Sequence, residues 1–567
     1  MLTENSDCKP GRELLMKTFQ TVVLSLLCLP VVLVSAMGAE YEMKTIIEPG
    51  PFHGVHGLAF GPDGALYAGD IMGSIIHRVD IASGAHEPAV SAPFGMADDI
   101  GFAPKGTPFE GTLVWTSVAL GQLYAQPPGG KPRLIADKMP SINTVGFAPD
   151  GRLYVTQTGG RHKTLWQVDL SGDTPLEQVW DGTGGLNGFT IADDGYLYGP
   201  QADLGRVIRF DLETKEIEVV ADGFEWPTAV EIDDRGLLYV LDFDGGTVTR
   251  VNKETGEKTQ LASLESGLDN MAIGPPGHVH ANKLYVSSIG GNGIYEIDTA
   301  TDTLRTVVAG DLTAPGGVAT LGTGTDTRIY IADMFSLREI NPADGNVRTV
   351  TPVSGSSAYP TTVTHGRFEG RDVVVTASWF TGRVQILDPE TGTVLRNESR
   401  FSGPRGIAML TDGSLLVAES TGQRIIRVNA DGERTTVAEG FAFPSGLALA
   451  GDTIAYVSDS TSGTVSSIDL TTGAARVVGE GFKMPEGMAI LPNGNLAIVD
   501  SVAKAVYELD TKSGLRTPIH VDADIGLTVL PPQPDAWIFN GIAIGPNGTL
   551  YLPLDINTSL VALTPTR

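Results

Sequence analysis

The sequence is poor in cysteine, in basic residues and in long apolar runs. Its 567 residues include two cysteines, Cys8 and Cys28, both near the N-terminus, so the main body has neither disulfides nor thiolate metal sites. Lysine and arginine number 39 against 67 acidic residues, giving a formal charge of −28, which argues against nucleic acid as a partner. The single apolar run long enough for an export signal or a membrane anchor lies near the N-terminus, and no later segment is expected to span a membrane.

That run lies in residues 17–39, KTFQTVVLSLLCLPVVLVSAMGA. One lysine, an apolar stretch broken by Pro30 and a final group of small residues are typical of a cleaved export signal. We interpret residues 1–39 as a signal peptide with an upstream extension, because Met16 followed by lysine is the better start. An uncleaved anchor is the alternative. With cleavage, the protein is expected to be exported, periplasmic or extracellular, and not inserted in a membrane.

Glycine and proline are abundant, with 70 and 35 residues, and they recur periodically. The repeating unit is a short apolar strand, a PDG-like turn, a second strand that ends in Asp or Ser, and a GxxxRxD segment. GLAFGPDGALYAGDIMGSIIHRVD from Gly57 and GIAMLTDGSLLVAESTGQRIIRVN from Gly406 are two of twelve copies, each of roughly 40 to 50 residues. Period-two alternation leaves each unit with apolar faces that only a neighbouring unit can bury. The sequence therefore predicts an all-β fold of twelve four-stranded blades.

Twelve blades in one ring would leave a wide axial hole, so we predict tandem six-bladed β-propellers. Residues 40–300 would form the first propeller and residues 301–567 the second. The strand YEMKTIIEP from Tyr41 is predicted to complete blade six of the first ring. TLRTVVAGDL from Thr303 is predicted to complete the last blade of the second ring, whose final unit supplies only three strands. The boundary then falls near residues 299–302.

The starts of the innermost strands are expected to converge on one mouth of each ring. In the first ring the aligned residues are all polar: His56, Asp98, Asn143, Asn187, Thr228 and Asp269. In the second ring they are mixed: Gly316, Thr361, Arg405, Ser445, Glu486 and Asn540. Polar groups gathered in a narrow channel must bind water, one another or an ion. A water-filled channel without an ion is the simple alternative.

Asp and Asn oxygens are hard ligands, and a cation would relieve the repulsion between Asp98 and Asp269. We predict a divalent cation, Ca²⁺ in the first place, with Mg²⁺, Mn²⁺ or Zn²⁺ as alternatives. Its predicted ligands are His56, Asp98, Asn143, Asn187 and Asp269. Because two carboxylates flank it, His56 is expected to be a ligand or the general base, and Asp269 is the other candidate base. Acidic residues that end the second strands are assigned mainly to structure.

Two segments of the first ring, DGALYAGDIMGSIIHRVD and LNGFTIADDGYLYGPQADLGRVIRFD, resemble the gluconolactonase family, also called the senescence marker protein and luciferin-regenerating enzyme family. The resemblance implies a six-bladed propeller that holds one divalent cation through a Glu, Asn residues and an Asp that doubles as general base. Asn187 and Asn143 match the family's asparagines. His56 stands in place of the Glu, and Thr228 stands in place of the Asp.

Two segments of the second ring, PRGIA from Pro404 and PSGLA from Pro444, resemble NHL-type repeats, which are typical of binding platforms. The gluconolactonase resemblance implies a secreted metal-dependent hydrolase of the lactonase or esterase type, acting on a small lactone or ester at the mouth of the first propeller. A protein partner is expected, if anywhere, on the second propeller. A non-enzymatic binding platform and a lyase on the same fold are the alternatives.

Overall fold

The computed structural model describes residues 40–354, 358–528 and 538–566, which form β-sheets almost throughout. In this part of the chain there are twelve four-stranded antiparallel sheets and no α-helix. The three short 3₁₀ turns are Ala202–Leu204, Gly324–Asp326 and Pro546–Gly548. Within the described ranges, no helix has the length and apolar character needed to cross a membrane. The predicted all-β fold of twelve blades is confirmed, while the predicted signal peptide, residues 1–39, lies outside the described residues.

The first propeller consists of strands β2 to β25, four per blade in chain order from the innermost strand outward. The strands are β2 (Val55–Phe60), β3 (Leu66–Asp70), β4 (Ile75–Val79), β5 (His86–Val90), β6 (Asp99–Phe102), β7 (Leu113–Ser117), β8 (Gln122–Gln126), β9 (Arg133–Ala136), β10 (Ile142–Phe147), β11 (Leu153–Gln157), β12 (Thr164–Val168), β13 (Glu177–Asp181), β14 (Thr190–Ile191), β15 (Tyr196–Gln201), β16 (Arg206–Asp211), β17 (Ile217–Asp222), β18 (Pro227–Ile232), β19 (Leu238–Asp242), β20 (Thr247–Val251), β21 (Lys258–Ser263), β22 (Leu268–Ile273), β23 (Lys283–Ser288), β24 (Gly293–Asp298) and β25 (Thr303–Ala309). Because β2 contacts both β6 and β22, blade one adjoins blade six and the ring closes.

The second propeller consists of strands β26 to β48 together with β1. The strands are β1 (Tyr41–Ile47), β26 (Val318–Leu321), β27 (Arg328–Asp333), β28 (Ser336–Ile340), β29 (Val347–Thr351), β30 (Thr362–Phe368), β31 (Arg371–Ser378), β32 (Arg383–Leu387), β33 (Val394–Glu398), β34 (Pro404–Met409), β35 (Leu415–Glu419), β36 (Arg424–Val428), β37 (Arg434–Glu439), β38 (Pro444–Ala450), β39 (Ile454–Asp459), β40 (Thr464–Asp469), β41 (Ala475–Glu480), β42 (Pro485–Ile490), β43 (Leu496–Asp500), β44 (Ala505–Leu509), β45 (Arg516–Val521), β46 (Ala543–Ile544), β47 (Leu550–Leu554) and β48 (Ser559–Pro565). Contacts of β26 with β30 and β46 close this ring.

The N-terminal strand completes the second propeller, not the first. β1 pairs antiparallel with β48, with Tyr41 opposite Pro565, whereas β25 pairs with β24 in blade six of the first ring. The predicted wiring of the Tyr41 and Thr303 strands is therefore wrong, and the boundary near residues 299–302 moves beyond β25. The physical reason is that the first ring's six units each contain their own outer strand. Only the last unit lacks one, and its open edge takes the strand from the other end of the chain.

Carboxylates at the ends of second strands hold the loops that lead into the innermost strands. Both oxygens of Asp242 accept backbone hydrogen bonds, from the N–H groups of Glu225 (2.7 Å) and Trp226 (2.9 Å). The same arrangement recurs at Asp333, Asp459 and Asp500. A buried backbone N–H needs such a partner, so these residues are structural, as their sequence pattern indicated. They fix the position of each strand start at the mouth.

An apolar cluster joins the two propellers. Ile71, Met72 and Met96 of the first propeller pack with Phe335 and Ile538 of the second. Ile71 and Met72 directly follow β3, the second strand of blade one, and Met96 precedes β6, the innermost strand of blade two. These residues therefore lie at the same end of the ring as His56 and Asp98. The second propeller therefore lies against the mouth of the first.

Candidate functional site

Three charged side chains meet at the mouth of the first propeller. His56 Nδ1 lies 3.0 Å from Asp269 Oδ2 and 3.4 Å from Asp98 Oδ1. The three residues belong to blades one, six and two, which are neighbours only because the ring closes through β2 and β22. Their side chains are 10%, 17% and 10% exposed, respectively, so the cluster is largely shielded from solvent.

His56 is held in its charged form. Burial by itself lowers the pKa of His56, but the charges and hydrogen bonds of Asp269 and Asp98 outweigh burial and raise this pKa to about 10. Burial, partly offset by His56, raises the pKa of Asp98, and the charge of Asp269 adds to the rise. At neutral pH the cluster is thus an imidazolium between two acidic side chains.

The other nitrogen of this imidazolium faces away from the carboxylates. His56 Nε2 is buried and has no hydrogen-bond partner among the described residues. An imidazolium N–H without an acceptor is costly in a shielded site, because the desolvated donor gains nothing in return. The donor is therefore available to an oxygen of a bound molecule.

The two asparagines of the predicted site form a hydrogen-bonded row beside the charged cluster. Asn143 Nδ2 donates to Asp98 Oδ2 at 2.6 Å. The Thr144 hydroxyl lies 3.0 Å from Asn143 Oδ1 and 3.1 Å from Asn187 Oδ1, and it can donate to either oxygen. Asn187 Oδ1 also accepts the N–H of Gly188 at 2.9 Å. The amide oxygens are thus engaged by protein donors.

Thr228, the remaining polar residue of the predicted ring, takes no part in this cluster. Its hydroxyl donates to the backbone oxygen of Leu268 at 3.0 Å and so joins blade five to blade six. Of the six aligned positions, the structure brings five into one connected polar group and gives the sixth a structural hydrogen bond.

A second polar layer below the mouth was missed by the sequence analysis. Asn270 Nδ2 donates to Asp99 Oδ1 at 2.7 Å, and the N–H of Val145 donates to Asp99 Oδ2 at 2.9 Å. Burial raises the pKa of Asp99 well above its usual range. The doubled polar residues at these strand starts, DD in ADDIGF and DN in LDNMAI, were the available signal. This layer ties blades two, three and six together beneath His56.

Aromatic side chains from the second propeller lie over the mouth. The ring of Phe335 is 6.1 Å from the His56 ring, and Tyr359 meets Phe335 edge-on at 6.1 Å. The charges of Asp269 and Asp98, after burial, contribute to raising the pKa of Tyr359, which shows that Tyr359 lies near them. Tyr359 has a φ of 52°, a left-handed conformation that is uncommon for a bulky residue and that clusters at functional sites. Residues of both propellers thus enclose the site.

His53, the other histidine of FHGVHG, is separate from this cluster. Its Nδ1 lies 3.3 Å from Asp70 Oδ2, while its Nε2 lies 3.0 Å and 2.9 Å from the backbone oxygens of Asp555 and Ile556 in the second propeller. His53 and His56 are three residues apart in the sequence, and their side chains have different partners. His53 belongs to the contact between the propellers.

The mouth of the second propeller contains a buried ion pair. Arg405 Nη1 lies 3.4 Å from Glu486 Oε1, and both side chains are at most 3% exposed. Glu486 Oε2 accepts hydrogen bonds from the backbone N–H and from Nδ2 of Asn540, both at 3.1 Å. At this mouth a buried guanidinium and a buried carboxylate are therefore in direct contact.

The predicted cation ligands do not fit a metal ion in this arrangement. Within residues 40–354, 358–528 and 538–566, no group of three or more His, Cys, Asp or Glu side chains is placed to hold one. His56 already neutralises negative charge between Asp98 and Asp269, and Asn187 Oδ1 accepts backbone and hydroxyl donors. No chemical step below uses the divalent cation expected from the sequence, and its presence is left to the experiment described below.

The fold and the site define a tandem pair of six-bladed β-propellers with a polar mouth on the first ring. Residues 56–241 match the family model described as the SMP-30/gluconolactonase/LRE-like region, which confirms the resemblance of the first propeller. Residues 244–477 match the model described as outer membrane protein assembly factor BamB, whereas the PRGIA and PSGLA segments of the second propeller resemble NHL-type repeats.

Solved structures resemble parts of the chain. A gluconolactonase from Xanthomonas campestris is 15% identical, with 44% of this chain and 86% of that chain covered and a TM-score of 0.36. Virginiamycin B lyase from Staphylococcus aureus is 14% identical, with 52% of this chain and 96% of that chain covered and a TM-score of 0.35. No curated protein gives a significant sequence match.

Proposed function

We propose that the mouth of the first propeller hydrolyses a small lactone or ester. The observation that carries this proposal is the His56 imidazolium, whose Nδ1 is held by two carboxylates while its buried Nε2 has no acceptor in the part of the chain that the structure describes. A preorganised, charged N–H in a shielded site is the kind of group that stabilises the oxyanion formed when water attacks a carbonyl. The family match of residues 56–241 supports the same reaction class.

In the proposed reaction, His56 Nε2–H donates to the carbonyl oxygen of the substrate. Asp269 is the more exposed of the two carboxylates, so it takes a proton from the attacking water as that water adds to the carbonyl carbon. The C–O bond of the lactone or ester then breaks, and the proton held by Asp269 passes to the departing alkoxide. The products are a hydroxy acid, or an acid and an alcohol.

The neighbouring residues position these two groups. Asp98 holds the imidazole ring and is itself held by Asn143 at 2.6 Å, so it is bound into the protein on both sides. Phe335 and Tyr359 limit the access of bulk water, which strengthens each charge interaction inside the site. This division of roles differs from the sequence expectation that His56 acts as the base, because an imidazolium has no lone pair to accept a proton.

The test is turnover of a lactone and ester panel by the purified full-length chain. Replacing the oxyanion donor in His56→Gln is expected to lower kcat by roughly 10²- to 10³-fold, and Asp269→Asn by roughly 10²- to 10⁴-fold. Asp234→Asn is the matched control, since Asp234 is exposed on a hairpin turn. Absence of turnover across the panel would refute the hydrolase, and an unsaturated elimination product would show the lyase alternative.

The cation is tested on the same preparation. Elemental analysis and turnover after chelation are expected to show no bound divalent metal and unchanged activity, because His56 supplies the positive charge at the mouth. A bound metal at one equivalent, with activity lost on chelation and restored by Ca²⁺, would return the predicted ligands to the mechanism.

We infer that the protein is exported, to the periplasm or beyond the cell. The support is the sequence of residues 17–39, with its short apolar run and small residues before the first described strand. N-terminal sequencing of protein recovered from outside the cytoplasm is expected to begin close to residue 40. Recovery of the whole chain with residues 1–39 attached would contradict cleavage.

For the second propeller we infer a binding role in place of a catalytic one. The six aligned positions at its mouth include no histidine, and Arg405 and Glu486 contact each other there. The family model matched by residues 244–477 is named for an assembly factor, which supports a protein partner for this propeller. That partner stays a prediction.

A further inference from the structure

His53 reaches from the first propeller to the second. It lies shortly before β2, and its Nε2 is 3.0 Å and 2.9 Å from the backbone oxygens of Asp555 and Ile556, which directly follow β47. On the other side of the imidazole ring, Nδ1 lies 3.3 Å from Asp70 Oδ2. The His53 side chain is 13% exposed, so water has limited access to these contacts. One histidine therefore joins a carboxylate of the first propeller to the main chain of the second.

The partners on both sides of the His53 ring can only accept a hydrogen bond. A backbone oxygen has no hydrogen to donate. Burial acts to raise the pKa of Asp70, but the hydrogen bonds and charges of His53 and His77 outweigh burial and lower it, so Asp70 is a carboxylate. A neutral imidazole carries one N–H and one lone pair, and each of its tautomers would point that lone pair at an oxygen. The contacts of His53 therefore require an imidazolium.

Other titratable groups surround this contact: Asp70, His77 and His86 of the first propeller, and Asp524 and Asp555 of the second. His77 Nε2 lies 3.5 Å from the Asp70 oxygen that faces His53, and neither nitrogen of His77 makes a hydrogen bond within the described residues. Burial raises the pKa of Asp555 to about 6. Above about pH 6 the Asp555 carboxylate therefore attracts His53 from the second propeller.

Both propellers stabilise the proton on His53. Burial by itself lowers the pKa of His53, but the hydrogen bond and charge of Asp70, together with the Ile556 backbone oxygen and the Asp555 charge, raise it above 6.5. Since the second propeller supplies part of this stabilisation, separating the two rings lowers the affinity of His53 for its proton. By linkage, loss of the proton weakens the contact between the rings.

The rings are also held together by contacts in which no histidine takes part. Arg338 Nη1 of the second propeller lies 3.3 Å from Glu265 Oε1 of the first, and Arg338 Nη2 donates to the backbone oxygen of Gly290. Residues 48–54 and 310–317 connect the two rings covalently. Loss of the His53 proton is therefore expected to loosen the docking of the rings without separating them.

The His53 contact is continuous with the cover of the first mouth. Ile71 and Met72 directly follow Asp70 in the chain and pack in one apolar cluster with Phe335 of the second propeller. The Phe335 ring lies 6.1 Å from the His56 ring. A change in docking at His53 thus reaches the aromatic side chains that lie over His56.

We propose that His53 is a proton-controlled latch: when doubly protonated it holds the second propeller on the mouth of the first, and loss of one proton loosens this docking. The contribution of His53 is complete below pH 6.5 and is lost as the pH rises through its higher pKa in the docked protein. The pKa of His56 is about 10, so His56 keeps its charge over the lower part of that range. The latch does not depend on the proposed hydrolysis, because its readouts need no substrate.

The protonation state is measured by nitrogen NMR of the full-length chain with histidine-selective isotope labelling. Both ring nitrogens of His53 are expected to be protonated at neutral pH, and the signals are assigned by their loss in His53→Gln. A neutral His53 with a single N–H at neutral pH would overturn the proposal.

Docking is measured by amide hydrogen exchange, corrected for the intrinsic effect of pH on exchange. Residues 333–336 and 554–557 of the second propeller are expected to exchange roughly tenfold faster at about pH 9 than at about pH 6.5, because a hydrogen bond to a charged group is lost. Strands β16 and β40, in blades four and ten, are internal controls that should not change. Equal protection of the contact segments at the two pH values would rule out the latch.

Two variants separate the proton from the packing. In His53→Gln the contact segments are expected to exchange at the faster rate at both pH values, while the exposed His162→Gln, the matched control, keeps the wild-type dependence. Asp70→Asn retains an oxygen for the backbone N–H groups of His53 and Gly73 but removes the charge, so the pH midpoint of exchange should fall by about one unit or more.

A purely structural role for Asp70 would change protection at every pH without moving the midpoint. PH dependence that persists in His53→Gln, or a midpoint that stays in place in Asp70→Asn, would contradict the proposal. If His53→Gln does not fold, exchange of the wild-type chain and the midpoint of Asp70→Asn decide the matter.

Discussion

The two propellers share a blade plan but treat charge at their mouths in opposite ways. At the first mouth, one histidine faces Asp98 and Asp269 in a cluster that keeps 10% to 17% side-chain exposure. At the second mouth, Arg405 faces Glu486, and their side chains are 3% and 0% exposed. Among the described residues, the first arrangement leaves a donor without an acceptor, while the second brings a cation and an anion into contact inside the ring. The same position in the repeat can therefore hold a partly exposed charged cluster or a fully buried ion pair, depending on the residues of the neighbouring blades.

The rings also differ in how they are closed, which gives the largest expected effect. The first ring is one continuous run from β2 to β25, whereas the second needs β1 from the opposite end of the chain. Deletion of residues 40–48 uncovers the edge of β48 and the buried Leu560 and Leu563, so the second propeller is expected to lose cooperative unfolding. The first propeller should keep its own transition in calorimetry.

The control for this deletion is a permuted chain in which the same nine residues follow Thr566. That chain offers β48 an identical partner, and its second transition is expected to return. If the deletion instead removes both transitions, the two rings unfold as one unit and the contrast in their closure has no energetic consequence.

The second-largest expected effect is a difference between the two mouths in how much their charged residues contribute to the free energy of unfolding. Arg405→Met leaves Glu486 buried without its cation and is expected to lower the free energy of unfolding of the second propeller by about 3–5 kcal/mol. The double variant Arg405→Met with Glu486→Gln should recover most of that loss. His56→Gln, at the more exposed mouth, should cost clearly less. Denaturant unfolding of the three variants measures these free energies. Equal losses for Arg405→Met and His56→Gln would show that the two mouths do not differ in their contribution to stability.

Much of this architecture could be predicted from sequence, because blades are local. The twelve units, their turns and the structural acids such as Asp242 each depend on a few neighbouring residues. The wiring could not be predicted, since the pairing of Tyr41 with Pro565 has no local signal and both candidate strands are amphipathic. The position of Phe335 over His56 could not be predicted either, because the repeat pattern carries no information on how one ring packs against the other.

The position of the candidate site could likewise be predicted from the sequence, but the hydrogen bonds within it could not. Aligning strand starts brought together His56, Asp98 and Asp269, and the closed ring explains why. The hydrogen-bond partners of Asn143 and Asn187 depend on Thr144, one residue further along the strand, so their oxygens could not be assigned to a cation or to the protein from spacing alone.

A third effect uses pH to distinguish the first mouth. The pKa of His56 rises from 6.5 to about 10 on folding, so its contribution to stability is complete below pH 6.5 and is lost as the pH rises through about 10. Activity that needs the imidazolium should follow the alkaline side of this change, falling about tenfold per pH unit above about pH 10. The pH profile of kcat measures it. His56→Gln should lack that limb, and a wild-type profile that rises through pH 10 would show that neutral histidine is the active form.

The smallest expected effect concerns the aromatic cover that the second propeller contributes to the first. Phe335→Leu loses part of the apolar surface over His56. If the proposed substrate binds at His56, this loss is expected to raise KM about three- to tenfold with little change in kcat, because the Phe335 ring would contact the substrate without joining the proton transfers. The exposed Phe380→Leu is the matched control, and melting curves check that the packing between the rings survives. A fall in kcat with constant KM would mean that Phe335 orients His56 instead of covering the substrate, and the second propeller would then take part in the chemistry of the first.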